Sequence, residues 1–149
     1  MSRRKGRILA FQALYSWDVS KASVEDLLTY SWLQKDSELS EDTVQEPSEN
    51  AKEERTFASL IIAGTIDHID EIDKVIESHL SDSWSLNRLN KVALAILRTS
   101  TYEIKYQKNI SPKIVIDEAV NIAKDYGTDD SYKFINAVLD KIGKDEVGK

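Results

Sequence analysis

Apolar residues recur at three- and four-residue steps along most of the chain, and that spacing predicts helices. From about Arg4 to Ser20, Ile8, Phe11, Leu14 or Tyr15, and Val19 form one stripe, widened by Leu9 and Ala13. Ser23 with Asp26 reads as the start of a second helix, whose face of Val24, Leu27, Leu28, Ser31 and Trp32 runs to about Gln34. The pattern then lapses from Asp36 to Glu54, which holds Pro47 and little that is apolar beyond Leu39 and Val44. Such a stretch cannot bury enough area to offset its ordering entropy, so it reads as a surface loop inserted at about 36–54. Period returns at Arg55 with Phe57, Leu60, Ile61 and Gly64, then Ile69, Ile72, Val75, Ile76 and Leu80, and a break between two helices is expected near Asp67–Asp70.

The second half is more helical still. Ser85 or Asn87 is the expected cap of a helix from about Leu89 to Tyr106, apolar nearly all round at its centre and therefore placed in the middle of a bundle. Ser111-Pro112 starts the next, with Ile114 or Val115, Ala119, Ile122 and Ala123 facing inward and Gly127 as a left-handed cap. Asp129 or Asp130 caps the last, where Phe134, Ile135, Val138 and Ile142 precede Gly143 and a short charged tail at 144–149. The expectation is an all-α compact bundle of six or seven helices, one domain over residues 1–143, with no convincing strand.

Composition supports this. Only 5 Gly and 2 Pro punctuate 149 residues, too few for the turns of a sandwich or barrel. No cysteine is present, which excludes disulfides, thiolate metal sites and cysteine nucleophiles and fits a reducing, cytoplasmic setting. The longest wholly apolar run, Val92 to Leu97, is too short to span a bilayer, and the N-terminus lacks the apolar core of a signal peptide.

Net charge is −6, which argues against a nucleic-acid partner until its distribution is considered. Residues 36–54 carry eight acids against Lys52, and the rest of the chain sums to +1. Residues 1–17 hold Arg3, Arg4, Lys5 and Arg7 with no acid. Arginines at three- and four-residue spacing can share one helix face, and their planar forks suit phosphate and base edges. A second candidate is the start of the last helix, where Asp130, Lys133, Phe134 or Tyr132, and Asn136 offer a phosphate partner, a ring and a base-edge amide. Both features have plainer readings, as a solubilising basic start and as a capped helix with a core Phe.

Enzyme readings find less. The five glycines form no phosphate loop, and His68 and His79 have no metal-site spacing. Asp67, Asp70, Glu71 and Asp73 near His68 read as a solvated helix face. Asp117 and Glu118 are adjacent, so on a helix they point about 100° apart and cannot share a proton. No catalytic residue, metal or cofactor is implied.

Several blocks together are similar to a known family. They are the leading arginines with Ala10-Phe11-Gln12-Ala13-Leu14-Tyr15-Ser16-Trp17, then Ile96-Leu97-Arg98 with Tyr102-Glu103, and Ile116-Asp117-Glu118-Ala119-Val120 with Ala123-Lys124. The last is Asp130-Ser131-Tyr132-Lys133-Phe134-Ile135-Asn136-Ala137-Val138-Leu139. In this order the chain resembles the NusB family of transcription antitermination proteins over nearly its whole length. The resemblance implies an all-helical, non-catalytic factor that pairs with NusE, a small-subunit ribosomal protein, on single-stranded boxA-type RNA. It also implies membership of an RNA polymerase antitermination complex that supports ribosomal RNA transcription. The RNA-contacting residues it implies are Arg3, Arg4, Lys5, Arg7, Asp130, Lys133, Phe134 and Asn136.

The chain departs from that pattern in places. The acidic stretch is longer than the family's usual connection, Asp117 stands where Asn is common and Ala137 where Gly is common. Ala93-Leu94 replaces a frequent acid–base pair in a region the family uses toward NusE. Two other classes remain open on sequence: a helical adaptor that binds protein alone, and the helical domain of a ribosomal RNA methyltransferase system.

Overall fold

A computed structural model describes residues 2–36 and 47–148. Among these it contains seven α-helices: α1 Arg3–Val19, α2 Val24–Thr29, α3 Glu49–Asp67, α4 Ile69–Ser78, α5 Lys91–Tyr106, α6 Pro112–Tyr126 and α7 Ser131–Val147. Short 3-10 turns follow α2 and precede α5, and no strand occurs among the described residues. The chain is an all-α bundle, as its periodicity required.

α5 is the axis. Every residue from Ala93 to Ile104 is buried, and the helix packs against α1, α3, α4, α6 and α7. Its cap is Asn90, whose Oδ1 accepts from the N–H groups of Val92 at 2.9 Å and Ala93 at 3.2 Å. The expected caps Ser85 and Asn87 instead lie in the region of the preceding turn, Leu86–Arg88. α1 lies on α3 and α5, while α6 and α7 form an antiparallel hairpin closed over α5. Ile135, Val138, Leu139 and Ile142 of α7 are all buried, as expected.

Four other expectations are corrected. The second helix stops at Thr29, because Tyr30 takes a left-handed φ of 58°. That conformation is held by the Tyr30 hydroxyl, which lies 2.7 Å from Ser59 Oγ and donates to the Arg55 carbonyl at 2.9 Å. The loop expected over 36–54 is helical from Glu49 onward, with Ser48 Oγ accepting from the Ala51 N–H at 3.2 Å. Glu54, counted among loop acids, is buried and accepts from the Ser2 N–H at 3.3 Å. Residues 37–46 of that stretch lie outside the described residues.

Gly127 is extended (φ −89°, ψ −179°), not left-handed. Glycine is needed there for space, since a Cβ would stand 2.2 Å from Ser131 Oγ and 2.7 Å from the Ala123 carbonyl. Finally, α7 continues through Gly143 to Val147, so most of the expected tail is helix. Glu146 anchors it, with its carboxylate 2.8 Å from Lys108 Nζ and 3.5 Å from Lys105 Nζ. The break at Asp67–Asp70 stands where expected, with His68 between α3 and α4.

Candidate nucleic-acid interface

The basic start of the chain is ordered as the first turn of α1. Ser2 Oγ accepts from the Lys5 N–H at 3.2 Å, and no acid stands in that turn. Arg3, Arg4 and Lys5 are exposed there, beside the positive end of the helix dipole. The Arg3 guanidinium lies 5.4 Å from the centroid of the Phe57 ring on α3. Arg4 reaches α6, where Nε donates to Glu118 Oε2 at 2.8 Å and Nη2 to Oε1 at 3.1 Å. That bidentate bond, reinforced by charge, holds the Glu118 carboxyl below the usual glutamate range and raises Arg4 further.

Arg7 is not part of the exposed set. It is 8% exposed, and its Nε and Nη2 donate to Glu103 on α5 at 2.9 and 3.0 Å. One helical turn separates it from Arg3, yet the neighbours are different: α3 and α5 close over Arg7 while Arg3 stands at the rim. The expectation of Arg7 on an outward basic face is therefore corrected.

The second cluster is on α7. Asp130 precedes the helix but makes no side-chain cap bond, and its carboxylate lies 3.6 Å from Lys133 Nζ. Lys133 and Asn136 are exposed. Phe134 is partly buried, and its ring centroid lies 6.3 Å from that of Trp84 in the α4–α5 connection. Residues two apart on a helix point about 200° from each other, so Phe134 faces away from Asn136 and from Tyr132. The ring that shares a face with Lys133 and Asn136 is Tyr132. Lys124 Nζ lies 5.0 Å and Lys133 Nζ 5.9 Å from its centroid. Sequence reading overlooked Lys124. A hairpin pivoting at Gly127 brings the end of α6 against the start of α7, which was the available signal.

The arginines and the α7 block do not touch. Arg4 meets α6 at Glu118, whereas Phe11, further along α1, meets Tyr126 with ring centroids 5.3 Å apart. α1 thus runs alongside α6, and the basic start lies two turns away from the α6–α7 corner. Two of the acids near His68, Asp73 and Glu71, hold partners on α5. Arg98 is buried, donating to Asp73 from Nε at 2.9 Å and from Nη2 at 3.0 Å. Tyr106, whose hydroxyl donates to Glu71, is pushed up to about 12 by burial and by that carboxylate. No cluster of three or more His, Asp or Glu placed to hold a metal occurs among the described residues. No described helix is long and apolar enough to cross a membrane.

Fold and surface together define a class: an all-helical protein that presents cations and a ring face on rigid helices of a bundle. The chain belongs to the NusB family, whose model matches residues 4–144. It is 53% identical to the transcription antitermination protein NusB of Treponema denticola, over 95% of this chain and 96% of that protein. Its fold is similar to a solved T. maritima NusB, with a TM-score of 0.76, 32% identity and coverage of 100% and 99% of the two chains. It is also similar to a solved structure of antitermination factors NusB and NusE in complex with dsRNA, with a TM-score of 0.76, 27% identity and 96% of each chain covered.

Proposed function

We propose that this protein is an RNA-binding transcription antitermination factor that pairs with a NusE-type ribosomal protein on boxA-type RNA. In this reading it joins an RNA polymerase complex in the cytoplasm that sustains ribosomal RNA transcription. The observation that carries the reading is kinship over 96% of the chain with a NusB solved with NusE in complex with dsRNA. Arg3, Arg4 and Lys5 supply the phosphate contacts, with Arg7 holding α1 in place beneath them. Asp130, Tyr132, Lys133 and Asn136 act at the start of α7 with Lys124 at the end of α6, and Phe134 supports that turn from behind. The RNA is single-stranded where it meets Tyr132, because inside a duplex each base face is already covered by its neighbours. The protein works by binding and not by catalysis.

Filter binding with labelled boxA-like RNA, with and without NusE, tests this. Retention of RNA that NusE strengthens is the expected result. NusE binding without any RNA retention would leave a protein adaptor in its place.

A further inference from the structure

The α6–α7 hairpin carries a cleft of about 680 Å³ that the arginines and Tyr132 do not occupy. Its lining includes Pro112, Ile116 and Gly143, which supply apolar surface, and Lys113, Asp117 and Asn136, which are exposed and polar. Gly143 lets the two helices approach, since a Cβ there would stand 3.3 Å from Pro112 Cβ and 3.4 Å from Ile116 Cδ1. Lys144 also lines the cleft, its Nζ 3.0 Å from Asp140. The side chains of Asp117, Asn136 and Lys113 make no hydrogen bond or ion pair among the described residues. An acceptor-only carboxylate and an amide therefore stand free beside apolar surface.

We propose that this cleft holds a guanine of the bound RNA strand and reads its Watson–Crick edge, an inference that rests on the RNA-binding reading above. A carboxylate can only accept, and it can accept twice. Guanine is the base that sets two adjacent N–H donors, N1 and N2, beside an acceptor, O6. Asp117 accepts from N1–H and N2–H, the Asn136 amide donates to O6, and the purine lies against Pro112 and Ile116. Adenine would place its N1 lone pair against the carboxylate, uracil offers one donor flanked by two acceptors, and cytosine one donor beside two acceptors, so none of them sets two adjacent donors there. Lys113 and Lys144 stand where flanking phosphates pass.

The cleft also continues the proposed interface. Asp117 is the chain neighbour of Glu118, which holds Arg4, and Asn136 is one helical turn from Tyr132.

The test uses uridine 12-mers carrying one central guanine, inosine or adenine, bound to the full chain alone and with NusE. Inosine lacks only the N2 amine. Guanine should be preferred over adenine by several-fold to about a hundredfold, the range of one good bidentate pair, and over inosine by less. Asp117→Asn should collapse the preference for guanine over inosine toward unity while leaving the salt dependence set by Arg3 and Arg4 unchanged. A 6-thioguanosine at the same position should cross-link to the peptide holding Lys113 or the one holding Asn136. Equal affinity for the three RNAs, or cross-links elsewhere, overturns the guanine site and leaves RNA binding standing. Failure to retain any RNA overturns both. Loss of NusE binding in Asp117→Asn, with base preference intact, would make the cleft a protein site and overturn the proposal.

Discussion

Arg4 and Arg7 sit one turn apart on the same helix, and each grips a glutamate with the same two nitrogens at nearly the same distances. Their surroundings differ. The Arg4 and Glu118 side chains are 49% and 23% exposed, against 9% and 2% for Arg7 and Glu103. In water an ion pair is weak and exchangeable, so Arg4 can leave Glu118 for a phosphate at little cost. In the interior the pair is fixed, because separating it strands a charge with no solvent. One basic cluster in the sequence is thus two devices, a clamp that seats α1 on α5 and a movable cation at the rim.

The strongest way to break this comparison is Arg7→Ala. Leaving Glu103 buried and unpaired should cost about 3–5 kcal/mol. In a chain of this size each kcal/mol is worth roughly 2–4 °C, so melting should fall by about 10 °C. Replacing both partners, Arg7→Met with Glu103→Leu, should recover most of the loss, as apolar substitutes for buried pairs usually do. A melting change no larger than that of Arg4→Ala would show that burial does not separate the two pairs.

The two rings of α7 offer a parallel contrast. Tyr132→Ala should lower RNA affinity by about 1–3 kcal/mol, the worth of one stacked base, with little change in melting. Phe134→Ala should do the reverse. Partial burial against Trp84 places its stability cost below the about 3–5 kcal/mol of a wholly buried Phe. Melting curves and RNA titrations on both variants decide whether the faces are divided as described. If Phe134→Ala alone abolishes RNA binding without lowering the melting temperature, the assignment is inverted.

At the rim the effect is smaller and electrostatic. Arg3→Ala with Arg4→Ala should flatten the log–log salt dependence of RNA binding by about 0.7 for each phosphate no longer neutralised. Folding should hardly change. An unaltered slope would remove the first turn of α1 from the interface.

The smallest effect is a titration. Glu118 is held below the ordinary glutamate value of 4.5, chiefly by its bond to Arg4. Its contribution to stability is therefore fully present above that value and is lost as pH falls through its lower folded value. In Arg4→Ala the carboxyl resonance of Glu118 should titrate nearer 4.5, measurable by carbon-detected NMR. No movement would mean that Arg4 spends its time elsewhere.

Element positions were largely legible without coordinates because local rules set them. Ser23, Ser111-Pro112 and the stripe Ile135, Val138, Leu139, Ile142 each carry their signal within a few residues. The start of α3 was missed although Ser48 caps it locally, because the turns that follow are acidic. Glu49, Glu53 and Glu54 look like loop acids until α1 supplies the Ser2 N–H that Glu54 bonds. The candidate site was half legible: its residue types and both its segments were visible, and the family resemblance tied them to RNA.

Sequence alone determined that the chain is an all-helical bundle, because amphipathic period and caps depend on near neighbours. It also determined the places where cations and rings collect. Tertiary structure decided which of them remain available. Arg7 is enclosed because Glu103, 96 positions away, meets it inside the bundle. Tyr132 rather than Phe134 faces Lys124 because the α6–α7 hairpin fixes the rotation of α7. Asp117 and Asn136 face one cleft for the same reason. Burial and free hydrogen-bonding capacity depend on what the rest of the chain places nearby, and no local pattern encodes that.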